Sequence, residues 1–179
     1  DRYPIVAAQL ANPTVDVITG RPFYEADTAP APERAAKLLA WMNDPETPVR
    51  DIAAQYEENL DDIILMQMFG ENMVAAAQSG KDLATLQAEV AAMFDRDAML
   101  PVRVRRQMER MGYAVGDGDA VTGKDALLGM MANDTAAQMI WAFVTTLYND
   151  AYDLRLAQAQ ASLATMSDED KASAYRTYA

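Results

Sequence analysis

The sequence has no cysteine and no histidine among its 179 residues. Without them no disulfide, thiolate nucleophile, zinc finger, haem–histidine ligation or Ser-His-Asp triad can be built. The Glu-x-x-His pairs of a ferritin-type di-iron site are excluded on the same ground. Catalysis, if any, is left to carboxylates, Lys, Arg, Tyr, Ser or Thr. Positive charge is scarce as well: 15 Lys and Arg stand against 27 Asp and Glu, a formal net charge of −12. Nucleic-acid binding needs a basic face that displaces counterions, so the composition speaks against that class. Long apolar runs are missing too. The longest uncharged stretch, Thr135 to Asn149, is too short to span a bilayer and reads as a buried helix. Proline nearly disappears after residue 48, with seven of the eight before that point.

What is present points to helices. Hydrophobic residues make up 51% of the chain, and a domain of this length buries roughly 70% of its unfolded surface. One domain with one core is the expectation. Pro4, Pro13, Pro22 and Pro30 mark residues 1–31 as an extended arm that wraps the bundle or reaches a partner. Residue 1 is Asp, which fits either an excised piece or a mature form with a signal peptide removed, and the latter implies a periplasmic or secreted location.

The bundle domain is placed at 32–179. Pro32 opens a short helix that Asn43-Asp44-Pro45 ends. Thr47 as N-cap and Pro48 in the first turn then open a long helix over 48–79. Its stripe is Val49, Ile52, Tyr56, Leu60 and Ile63, and residues 63–69 are apolar nearly all round. Gly70 is a candidate kink and Gly80 a helix end. Leu83, Leu86, Val90 and Phe94 stripe the next helix, and another runs from Pro101 to Met111. Residues 113–122 around Asp117-Gly118 suit a small β-hairpin or a plain loop. After a short helix to about Ala132, Asp134 caps a second long helix over 135–165, and Ser167 to Asp170 form a capping box for a terminal one. The fold expected is an all-α, single-domain bundle of about six or seven helices built around the two long rods.

Four groups of residues carry chemical possibilities. Glu57, Glu58, Asp61 and Asp62 lie one helical turn apart in pairs, where like charges repel and a divalent cation such as Mg²⁺ turns repulsion into coordination. The stretch resembles the acidic half-site of all-α nucleoside-triphosphate pyrophosphohydrolases, which implies metal-dependent phosphate chemistry. The second half of that motif is missing, because Glu89 is followed three residues on by Ala92. Gly118 to Lys124 has P-loop spacing, but Asp125 stands where the loop needs a hydroxyl, so a turn and helix cap is the better reading. Arg103, Arg106 and Arg110 share one side of a helix and form an outward row that could grip carboxylates, phosphates or a partner. Trp141, Tyr148 and Tyr152 line one side of the second rod, as core or as a groove or partner face.

Two functions follow as expectations. The first is a non-catalytic helical interaction module, an accessory, adaptor or inhibitor protein that binds another protein and needs no cofactor; a homo-oligomer is compatible with it. The alternative is a Mg²⁺-dependent phosphate ester or anhydride hydrolase built on the acidic helix cluster.

Overall fold

After residue 30, every regular element among the described residues is helical. The computed structural model describes residues 31–111 and 123–178, together with two short strands, β1 (Val15–Asp16) and β2 (Arg21–Pro22), paired antiparallel with Val15 opposite Pro22. Residue 31 of the expected arm 1–31 already belongs to the first helix, and the rest of the arm, apart from the two strands, and the hairpin expected at 113–122 lie outside the described residues. The helices are α1 (Ala31–Asn43), α2 (Val49–Glu58), α3 (Leu60–Ser79), α4 (Leu83–Arg96), α5 (Leu100–Arg110), α6 (Lys124–Met130), α7 (Asp134–Leu147), α8 (Ala151–Leu163) and α9 (Asp168–Tyr178). A single 3-10 turn, Tyr148–Asp150, joins α7 to α8. Among the described residues no helix is long and apolar enough to cross a membrane.

The all-α bundle is the one the sequence implies, but it holds more helices because each long rod is broken once. The first break is at Asn59, not at Gly70, which lies inside an unbroken α3. Asn59 is buried, has φ −103° and ψ 8°, and donates from its side chain to the Tyr175 hydroxyl at 3.3 Å. A poor helix former with a partner on another helix turns the chain out of line here. The second break is at Asn149 (φ 51°) and Asp150 (φ 58°), both left-handed. After glycine, Asn and Asp tolerate that region best, yet each such residue costs about 1–3 kcal/mol unless its surroundings hold it.

The helix ends show their causes. Asp82 caps α4 by accepting the Thr85 N–H at 2.8 Å, and Asn133 caps α7 by accepting that of Ala136 at 2.9 Å. The cap of α7 is therefore Asn133, with Asp134 its first residue. Pro48, not Thr47, occupies the N-cap position of α2. Gly80 closes α3 at φ 67°, a conformation that any side chain would strain. Ser167 caps α9 as expected by accepting the Asp170 N–H at 3.1 Å, and its hydroxyl donates to the Asp170 carboxylate at 2.9 Å.

Two apolar clusters meet along α3. The larger joins Ile64 and Phe69 of α3 to Val90 of α4, Val104 of α5, Leu127 of α6 and Val144 of α7, with Tyr152 of α8 at its edge. The smaller joins Met42 of α1, Ile52 of α2 and Ile63 of α3 to Ala172 and Tyr175 of α9. Met42, Met68, Met93, Met108, Met111 and Met131 are all buried, so these thioethers serve as core filler. The Asn59–Tyr175 bond lies at the smaller cluster. Tyr175→Phe leaves the Asn59 amide short of an acceptor and is expected to lower unfolding free energy by about 1 kcal/mol in urea titrations.

Candidate functional site

Of the four carboxylates at the α2–α3 junction only Asp62 is buried; Asp61 is partly exposed beside it, and Glu57 and Glu58 are exposed. Asp62 is 4% exposed and faces α5, where Arg110 bonds it and also reaches Asp61 at 2.9 Å. The Tyr152 hydroxyl donates to the backbone carbonyl of Asp61 at 2.9 Å. One guanidinium and one phenol thus tie α3, α5 and α8 together. Burial works against the charge on Arg110, but the Asp62 and Asp61 carboxylates more than offset it and hold its pKa above the ordinary value. Burial likewise pushes the Tyr152 phenol up to about 12, against the pull of Arg110. Glu57 instead pairs with Lys171 of α9, and Glu58 accepts from the Gln55 side chain at 3.2 Å. The four carboxylates therefore do not converge, and among the described residues no group of three or more such side chains is placed to hold a metal ion.

The arginine row is divided. Arg103 and Arg110 fold inward and are half-buried, while Arg106 is exposed. The reason lies in α5, whose buried side includes Leu100, Val104, Gln107 and Met108 and draws its flanking guanidinium groups over the core edge. Arg103 bonds Asp97 at 2.8 Å and also contacts Asp150, with Asp153 at 3.9 Å. Asp97 is the hub: it accepts the N–H of Met99 at 3.0 Å and that of Asn149 at 2.9 Å. Burial raises the Asp97 carboxyl, but the Asn149 and Met99 N–H groups and the Arg103 guanidinium outweigh it and hold its pKa below the ordinary value. Sequence reading did not single out Asp97. Its only local signal was an Asp between two helical stripes, the usual setting of an Asx turn.

The aromatic row is divided by the break at 148–150. Trp141 of α7 is half-buried and donates from Nε1 to Glu89 of α4 at 2.7 Å, with Lys81 5.4 Å from its ring centre. Tyr152 is buried against α3, and half-buried Tyr148 sits in the turn between them. Of the P-loop-like stretch, Gly118 to Thr122 lie outside the described residues, and Lys124 pairs with Asp95 at 3.0 Å.

What the fold gathers at the surface is acidic. Lys171 pairs with Glu57 and lies near Asp168; these carboxylates, Glu57 first, raise its pKa. This pair brings the C-terminus of α2, with exposed Glu57 and Glu58, to the N-terminal turn of α9, with exposed Asp168, Glu169 and Asp170. Beside it runs a shallow groove between α3 and α9, lined by Met66, Gln67, Asp170, Ala174 and Tyr178 among others. No family model, curated protein or solved structure matches this chain.

Proposed function

We propose that this chain is a non-catalytic helical interaction module, an accessory, adaptor or inhibitor protein that docks a basic partner protein on the acidic end formed by α2 and α9. The observation that carries this reading is that the Glu57–Lys171 pair brings two exposed acidic segments together, Glu57-Glu58 of α2 and Asp168-Glu169-Asp170 of α9. Glu57 and Glu58 sit at the C-terminus of α2, where the helix dipole disfavours negative charge. Charges placed against a local rule are candidates for a role outside the fold. The adjoining groove offers Met66 and Tyr178 as apolar contact beside that charge, and complementary charge speeds and orients such encounters.

The test compares the wild-type chain with a Glu57→Gln, Glu58→Gln, Asp168→Asn, Glu169→Gln variant, each immobilised and exposed to extract of the source cells. The wild type is expected to retain a basic protein in stoichiometric amount, released as salt rises, and the folded variant to lose it. Equal retention by both, or none by either, contradicts the reading.

A companion measurement addresses the hydrolase alternative. Millimolar Mg²⁺ or Mn²⁺ is expected to leave the melting temperature unchanged, since Arg110 and Lys171 already engage Asp61, Asp62 and Glu57. A metal-dependent rise that disappears in Glu58→Gln or Asp62→Asn would turn the reading to phosphate hydrolysis.

A further inference from the structure

Asn149 and Asp150 are the only non-glycine residues at positive φ among the described residues. The local sequence does not require a bend: Leu147-Tyr148-Asn149-Asp150-Ala151-Tyr152 holds neither Gly nor Pro, and its flanks continue one helical pattern. The bend is held from outside. Asp97 accepts the Asn149 N–H at 2.9 Å, and Arg103, bonded to Asp97, reaches Asp150.

Beyond the bend, α8 packs chiefly on α3 and α9 chiefly on α2, both far earlier in the chain. Tyr152 donates to the Asp61 carbonyl at 2.9 Å, and Arg155 bonds Glu71 through two nitrogens at 2.5 and 2.7 Å. Further on, Lys171 pairs with Glu57, and Arg176 donates to the Met42 carbonyl at 2.9 Å. Each of these contacts can be made equally well to a second copy of the chain.

We propose that α7 and α8 straighten into one continuous helix and that two copies exchange α8–α9, forming a domain-swapped dimer. In the straight form the two left-handed residues return to helical geometry, and the Asn149 N–H passes from Asp97 to the carbonyl one turn back. The contacts of α8 with α3 and of α9 with α1 and α2 are remade between chains. The contacts given up are the latch, Asp97 with Asn149 and Arg103 with Asp150. Exchange of an identical element across a strained hinge is a low-cost route to a dimer.

Two full-length variants remove the same side chains and bias the backbone in opposite directions. Asn149→Ala with Asp150→Ala favours the continuous helix and disfavours the bend; Asn149→Gly with Asp150→Gly does the reverse. After refolding at high concentration, light scattering on the eluting species is expected to show a wild-type dimer fraction of twice 19.6 kDa. The alanine variant should raise the dimerisation constant by about tenfold or more, and the glycine variant should lower it. Because the chain has no cysteine, Glu71→Cys with Arg155→Cys gives one thiol on each side of the α3–α8 contact. A short bismaleimide then joins two chains in a swapped dimer and closes a loop within one chain in a monomer. The proposal is overturned by a folded alanine variant that stays monomeric, by a glycine variant that dimerises as readily, or by dimers whose cross-link stays within one chain.

Discussion

Arg110→Ala is expected to lower the unfolding free energy by about 3 kcal/mol, at the low end of the cost of breaking a buried ion pair. The low end applies because the Arg110 side chain is 33% exposed, whereas the side chain of Asp62 beside it is 5% exposed. The cost arises less from the lost attraction than from a carboxylate left in the interior without its cation. A second substitution separates the two. Asp62→Asn on the Arg110→Ala background removes the stranded charge and is expected to recover a large part of the loss. Urea denaturation of the three proteins checks this; an unchanged midpoint in Arg110→Ala, or no recovery in the double variant, counts against it.

Asp97→Ala is expected to cost about 3 kcal/mol as well, because one carboxylate serves two backbone N–H groups and Arg103. In a chain of this length that lowers the melting temperature by roughly 6–12 °C. The loss depends on pH. The folded pKa of Asp97 is depressed, so its contribution is fully present above the unfolded value of about 3.9. It is lost as pH falls through the lower folded value. The gap between wild type and Asp97→Ala should therefore be widest near neutrality and narrow on acidification to below about pH 4. Paired calorimetric scans across that range measure it, and a gap constant with pH would show that the carboxylate charge is not the cause.

The helical class was legible in the sequence because apolar spacing and cap residues are local. The stripe Leu86, Val90 and Phe94, the end at Gly80 and the capping box at Ser167 all appear where their neighbours dictate. The breaks at Asn59 and Asn149 were not legible, because their causes lie far along the chain. Tyr175 receives the Asn59 amide across 116 residues, and Asp97 receives the Asn149 N–H across 52. The side-chain groups divided for the same reason. Arg103, Arg106 and Arg110 share a helix face by spacing, but the core edge draws two of them inward and leaves the third in solvent. Trp141 and Tyr152 fall on one side of an unbroken rod only until the chain bends between them.

Asp61, Asp62, Asp97, Arg103 and Arg110 hold helices to one another, and the proposed recognition therefore rests on the exposed acidic end instead. A double-mutant cycle of Asp62→Asn and Arg110→Met, read by urea unfolding without metal, tests that division most directly. A coupling of about 2 kcal/mol or more is the expected result for a desolvated structural pair. Additivity within about 0.5 kcal/mol would contradict it, because the buried carboxylate would then owe its place to something other than Arg110.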